Sequence, residues 1–131
     1  MVKKARSTCE VAAIFGRVRK LPALSSADGK QRSEAERQAI NSMVQGSAAD
    51  ILVLAMLGVD RSLRKAGLDA AIVLAIHDEI VVETAAVSDT VQQVCRILAH
   101  HMQQAADLEC PLPVKIEVRA TLGDMKEAEA C

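Results

Sequence analysis

The most constraining feature of the sequence is a pair of aliphatic runs separated by three polar residues. Residues 70–76 read AAIVLAI and residues 80–82 read IVV, with His77, Asp78 and Glu79 between them. Runs of this length and composition are typical of β-strands, so we expect a hairpin over residues 70–84. Because burying an unpaired ion costs several kcal/mol, the three polar residues need exposure or a partner.

Two interpretations of His77-Asp78-Glu79 remain open at this point. Carboxylate oxygens on a tight turn suit Mg²⁺, whose other ligands are often substrate phosphates. Chemistry with two metal ions would also need a second acidic strand, and the sequence shows none. The alternative is a polar surface turn, although turn tips favour glycine, asparagine and proline, which this triplet lacks.

The order of predicted elements indicates an α+β fold, with a small antiparallel sheet and helices packed on one face. We expect one domain over residues 1–131, whose core is aliphatic because Phe15 is the only aromatic residue. The same scarcity excludes aromatic platforms for base stacking. The predicted segments are a basic lead-in at 1–32 with a short strand at 11–15, two helices within 33–66 broken at Gly46, the hairpin at 70–84, a helix at 88–108 and a third strand at 113–121.

A row of polar residues at a spacing of four lies in the first predicted helices. Arg37, Asn41 and Gln45 would lie about 40° apart around a helix and about 6 Å apart along it. Such a row suits the minor groove of a duplex, whose acceptors are shared by all sequences. Residues 1–37 also carry nine basic against four acidic residues, an excess suited to phosphates. An ordinary exposed polar face explains the same spacing.

Several classes of protein are disfavoured by what the sequence lacks. The four cysteines form no C-x-x-C pair, which argues against zinc and a disulfide framework and favours a reducing intracellular compartment. No signal peptide follows the basic start, and no apolar run approaches the ~20 residues that span a bilayer. We therefore expect a soluble chain that does not meet a membrane. His100 and His101 are interpreted as surface residues.

Three motifs in order resemble the C-terminal end of the family A DNA polymerases, the bacterial polymerase I type. They are GRVRKLP at 16–22, AERQAINSMVQGSAADI at 35–51 and IHDEIVVE at 76–83. The second is most similar to the eukaryotic theta and nu branch, and VKIEVRATLGD at 114–124 resembles the closing strand of the palm domain. The resemblance implies that the chain is the C-terminal part of a palm, within a DNA-directed DNA polymerase that transfers nucleotides to a primer 3′ end.

The resemblance also implies roles for individual residues. Asp78 matches the second catalytic aspartate, a ligand of the Mg²⁺ ions, and Glu79 the acidic residue beside it. The expected DNA contacts are His77 near the primer terminus, Arg37, Asn41 and Gln45 in the minor groove of the primer–template, and Arg17 and Arg19 near the DNA backbone. Partners would be primer–template DNA and deoxynucleoside triphosphates. A theta-like protein would be nuclear, and the sequence leaves mitochondria open.

The sequence departs from the family pattern in ways that limit the expected activity. The first catalytic aspartate and the fingers helix precede this region in the family, Val18 replaces a usual arginine, and Leu122 stands where an aromatic residue is common. We therefore expect that the isolated chain cannot extend a primer and that its exposed faces allow self-association. The alternatives are a non-catalytic DNA-binding module derived from such a polymerase, and a structural α+β domain that dimerises through the hairpin.

Overall fold

The computed structural model describes residues 2–123 and confirms the predicted α+β fold. Its elements are α1 (Val2–Thr8), β1 (Glu10–Ala12), β2 (Val18–Lys20), a 3-10 helix (Pro22–Ser25), α2 (Gly29–Ala66), β3 (Ala70–Ile76), β4 (Glu79–Thr84) and α3 (Ser88–Gln103). The strands form two separate antiparallel hairpins, β1–β2 and β3–β4. Asp124 of the last motif and Cys131 lie outside the described residues.

The chain divides into two compact units, Met1–Asp50 and Ile51–Cys131. In the first unit, β1 pairs with β2 from Glu10↔Lys20 to Ala12↔Val18. The predicted basic lead-in is therefore more structured than expected, since it holds a helix, a hairpin and a 3-10 helix. The core of this unit comprises Ala5, Val11, Leu21, Leu24, Ala35 and Ala39.

The helix α2 is continuous, so the predicted break at Gly46 is wrong. A glycine inside a helix costs only about 1 kcal/mol relative to alanine, which the contacts on both sides of it offset. Ser47, the residue after Gly46, donates from its hydroxyl to the Met43 carbonyl at 2.6 Å. Its Oγ also accepts from the backbone N–H of Ile14 at 3.0 Å, which holds the β1–β2 hairpin against the helix.

In the second unit, the hairpin lies where the aliphatic runs predict it. β3 and β4 pair from Ala70↔Thr84 to Ile76↔Glu79, with a bulge between Ile72 and Leu74. The helix α3 ends at Gln103, five residues before the predicted end. The core gathers Val59, Leu63, Val94 and Leu98, with partly buried Leu68, Ala70, Ile72, Ile80, Val82, Ile97, Met102 and Ile116 packed against it.

The predicted third strand at 113–121 is wrong, because this segment pairs with no strand in the part of the chain that the structure describes. The alternation that suggested it is nevertheless present. Ile116 packs against the core, while Lys115 forms an ion pair with Glu117 at 2.7 Å. Alternating burial therefore arises here without strand pairing, because packing one side chain in two against a core does not require a ladder.

By length and composition alone, α2 is apolar enough to cross a membrane, with a mean hydropathy of 1.6 in its most apolar window. No such segment was expected from the sequence, where only uninterrupted apolar runs were considered. A mean hydropathy over 18 residues can be high even when a few polar residues interrupt the apolar ones. The criterion is weak evidence, since core helices of soluble proteins also satisfy it.

Candidate nucleic-acid interface

The polar row on α2 lies on a solvent-exposed face of the helix. Arg37, Asn41 and Gln45 are all exposed, whereas Ala35 and Ala39 of the same helix are buried. Small buried side chains bring α2 close to its neighbours on one face and leave the row on another. The structure thus supports the expected shared polar face within the first unit.

Arg37 is partly engaged by a neighbour on its own helix. It donates to Glu34 in an ion pair spaced by three residues. The hydrogen bond from Arg37 lowers the pKa of the Glu34 carboxyl below its ordinary value. Both side chains are more than half exposed, so the pair is worth little and a phosphate or a base edge can displace it.

Arg17 and Arg19 extend from the β1–β2 hairpin onto α2. The Arg17 guanidinium donates to the Gly46 carbonyl at 2.8 Å and forms an ion pair with Asp50 at 3.0 Å. Arg19 donates to the Ser42 hydroxyl at 2.8 Å. Both arginines that the sequence associates with DNA therefore also hold the hairpin on the helix.

An open groove runs between the hairpin and α2. It is lined by Arg17, Arg19, Lys20, Ser42, Gln45 and Gly46, among others. Three predicted DNA-contacting residues thus share one concave basic surface, which suits a polyanion. Lys20 belongs to the basic excess over residues 1–37 that the sequence already associates with phosphates, whereas Ser42 was not singled out, because its only signal is its place beside Asn41 in the chain.

The tip of the β3–β4 hairpin carries the predicted catalytic residues. His77 and Asp78 form a two-residue turn, and Glu79 begins β4. His77 has a φ of 54°, in the left-handed region that non-glycine residues adopt at a cost. All three side chains are exposed, so the charges at the end of an apolar hairpin face solvent rather than its core.

The carboxylates of Asp78 and Glu79 fit part of a site for a hard cation. Oxygen donors of this kind are what Mg²⁺ prefers. However, no group of three His, Cys, Asp or Glu side chains that could hold a metal ion occurs among residues 2–123. These two residues would therefore need further ligands from elsewhere, as the missing acidic strand already indicates.

His101 is partly buried and contacts α2, so it is less exposed than its interpretation as a surface residue implies. Its Nε2 lies 2.7 Å from the Ser62 hydroxyl of α2. Gly58, one turn earlier on α2, leaves the space that the imidazole ring fills. Burial lowers the pKa of His101 below its ordinary value. His100 is exposed, as expected.

Comparisons with curated proteins find bacterial DNA polymerases I. The chain is 45% identical over 108 residues to DNA polymerase I of Pseudomonas aeruginosa, covering 82% of this chain and 12% of that protein. It is 36% identical over 126 residues to DNA polymerase I of Bacillus caldotenax, covering 96% of this chain and 14% of that protein. The chain thus spans about an eighth of their length. These bacterial relatives do not support closeness to the theta and nu branch.

A solved structure shows the same fold in a polymerase. The POL domain of Pol1 from M. smegmatis, in complex with DNA primer-template and dNTP, matches with a TM-score of 0.81 and 38% identity. The match covers 86% of this chain and 19% of that one. The model of the family "DNA polymerase family A" matches residues 1–124. The chain therefore belongs to DNA polymerase family A.

Proposed function

We propose that this chain is the part of a DNA-directed DNA polymerase palm that holds the primer–template and supplies one catalytic aspartate. The parent protein would transfer nucleotides from deoxynucleoside triphosphates to a primer 3′ end, inside the cell. The observation that carries the proposal is the groove in which Gln45 lies beside Arg17, Arg19 and Lys20. Membership of the family adds that its M. smegmatis relative is found with DNA primer-template and dNTP.

The groove and the polar row divide the recognition of DNA between them. Guanidinium and ammonium groups at the groove attract phosphates without regard to sequence. The row from Arg37 to Gln45 presents donors over about 12 Å, since a helix rises 1.5 Å per residue. Donors so placed reach the minor-groove acceptors, which every correct base pair offers. A polymerase needs this combination, because it must grip any sequence.

The hairpin tip would supply the carboxylates of the reaction centre. We propose that Asp78, with Glu79 beside it, holds Mg²⁺ through its oxygens and that His77 lies near the primer terminus. When bound, the metal would stabilise the charge that develops on the oxygens of the transferring phosphate. The chain itself would fix the position of the Asp78 carboxylate, because a two-residue turn between paired strands restricts the backbone of Asp78.

A non-catalytic DNA-binding module is the second candidate. All the residues that line the groove lie in the first unit, whereas Asp78 and Glu79 are too few to form a metal site within the described residues. Both candidates predict that the 131-residue chain alone binds DNA without extending a primer. They differ at the hairpin tip. The polymerase proposal expects Mn²⁺ to broaden the NMR signals of Asp78 and Glu79, with loss of the effect in Asp78→Asn. The binding module predicts no such broadening.

Binding of a labelled primer–template to the chain, followed by fluorescence anisotropy, tests the DNA-binding role. We expect Asn41→Ala combined with Gln45→Ala to weaken binding about thirtyfold, since each of the two lost donors costs about 1 kcal/mol. Gln93→Ala, at an exposed glutamine of α3, is the matched control and should change nothing. Equal affinities for the double variant and the control would refute the proposed role of the row.

Self-association of the isolated chain has to be measured alongside. Large apolar side chains are exposed on the second hairpin, including Val73, Leu74 and Ile76 at 40–52%. Anisotropy should therefore be recorded at concentrations where sedimentation shows a monomer. Specific dimerisation without any affinity for DNA would support the structural, hairpin-mediated alternative instead.

A further inference from the structure

Asp50 is a charged residue of the first unit to which the family resemblance assigns no role. Its Oδ1 accepts from Arg17 at 3.0 Å, and only 21% of its side chain is exposed. Its Oδ2 is buried and has no hydrogen-bond partner in the described chain. A carboxylate in such surroundings depends on its one cation, because removing the partner of a buried charge is costly.

The Arg17 guanidinium makes its two contacts along one face of α2. It donates to the carbonyl of Gly46 at 2.8 Å and reaches Asp50, one helical turn later. Two further ties flank this one, from Arg19 to Ser42 at 2.8 Å and from the Ile14 N–H to the Ser47 hydroxyl at 3.0 Å. The β1–β2 hairpin is thus fastened to α2 along the stretch that carries Gln45.

We propose that Asp50 is a positioning residue, which acts through Arg17 to hold the β1–β2 hairpin against α2 and so to shape the groove around Gln45. The proposal rests on the proposed function, since it assigns the groove to DNA. It reassigns Arg17 from a DNA-backbone contact to a latch, meaning the Arg17–Asp50 ion pair together with the Arg17–Gly46 hydrogen bond.

The two roles of Arg17 predict opposite effects for Asp50→Asn. If Arg17 chiefly contacted a phosphate, removing its competing carboxylate would free it, and DNA would bind more tightly. If the latch shapes the groove, the same change loosens the hairpin, and DNA binds more weakly. The sign of the change in affinity therefore separates the roles before its size is considered.

The experiment measures primer–template affinity of the 131-residue chain by anisotropy. We expect Asp50→Asn to weaken binding about fivefold, within the range of coupling between contacting residues. Asp60→Asn is the matched control, because Asp60 also lies on α2 and pairs with an arginine, Arg64, at 3.0 Å. It reports the effect of one lost negative charge, which should be neutral or slightly favourable. An affinity for Asp50→Asn equal to or above that of Asp60→Asn would overturn the latch.

A double variant tests whether Asp50 and Arg17 act as one unit. We expect Arg17→Ala with Asp50→Asn to bind no more weakly than Arg17→Ala alone, since the second change only removes a carboxylate left without its partner. Independent effects that multiply would contradict the proposal. The salt dependence gives another readout, because loss of a true phosphate contact lowers the slope of log K against log salt by about 0.9. The latch predicts an unchanged slope for Arg17→Ala, whereas a phosphate contact made by Arg17 predicts the decrease.

Two further variants keep the proposal falsifiable if Asp50→Asn fails to fold, as judged by circular dichroism. Arg17→Lys keeps the charge but not the planar fork that serves two acceptors. We expect it to weaken binding as Asp50→Asn would, whereas a phosphate contact tolerates lysine. Gln45→Ala separates this proposal from the proposed function. If Gln45→Ala weakens DNA binding and Arg17→Lys does not, the DNA-binding groove is supported and the latch is refuted. If neither variant weakens DNA binding, both the groove and the latch are refuted.

Discussion

Replacing Gly58 by alanine should destabilise the second unit, even though alanine is the better helix former. A Cβ at this position would lie 2.4 Å from Nδ1 and 2.8 Å from Cγ of His101. Cγ is the first ring atom, so a change of ring tilt alone does not relieve the overlap. The imidazole must move away, and its 2.7 Å contact with the Ser62 hydroxyl is then lost.

The expected magnitude follows from three opposing contributions. Overpacking a well-filled contact costs about 1–3 kcal/mol. Loss of the Ser62–His101 hydrogen bond costs about 1 kcal/mol. Alanine returns about 0.8–1.0 kcal/mol of helix propensity. The free energy of unfolding should therefore fall by about 1–3 kcal/mol in Gly58→Ala.

Urea unfolding followed by circular dichroism measures this change, and the His101→Ala background supplies the control. Without the imidazole, Gly58→Ala should stabilise the chain by about 1 kcal/mol, because only the propensity gain remains. The effect of one substitution thus changes sign with the presence of one ring. A stabilising Gly58→Ala in the unchanged chain would refute the reasoning. Gly46→Ala offers a second control, since its Cβ would meet Ala13 at an ordinary 3.5 Å.

Three further predictions follow from the described contacts. Because burial lowers the pKa of His101, the unfolded state binds the proton more readily than the folded state does. The thermal stability of the chain should therefore fall as the pH drops from about 7.5 to 5.5, and His101→Gln should not show this pH-dependent fall. Because His77 has a φ of 54°, His77→Gly should exceed His77→Ala in stability by about 1 kcal/mol in urea, and equal values would contradict the strain. Because Glu34 pairs with Arg37, Glu34→Gln should tighten primer–template binding about twofold by anisotropy, beyond the effect of Asp60→Asn; weaker binding would show that the pair helps.

The second hairpin and the polar row were predictable from sequence because both depend on local spacing. Two aliphatic runs around a short polar turn leave few alternatives to a hairpin, and β3 and β4 lie where the runs predict. Likewise, residues spaced by four share a helix face, so the exposure of Asn41 and Gln45 on one face needed only that α2 be helical.

The errors share a physical cause, namely contacts between residues far apart in sequence. Gly46 would break an isolated helix more readily than this one, where Arg17 contacts its carbonyl from 29 residues away. His101 is packed because Gly58, 43 positions earlier, lacks a side chain. The segment 113–121 has the alternation of a strand, but pairing needs a free neighbouring edge that no local pattern reports. The latch at Asp50 escaped prediction for the same reason.

The most direct test of the central claim, that Asp78 is a catalytic carboxylate of a family A polymerase, is primer extension by a chimera. In it, this chain replaces the matching segment of Pseudomonas aeruginosa DNA polymerase I, to which it is 45% identical. We predict that the chimera extends a primer and that Asp78→Asn slows extension about a thousandfold or more, because a metal ligand stabilises the transition state by several kcal/mol. Asp60→Asn should leave the rate unchanged. Extension by the Asp78→Asn chimera at the rate of the unchanged chimera would contradict the claim.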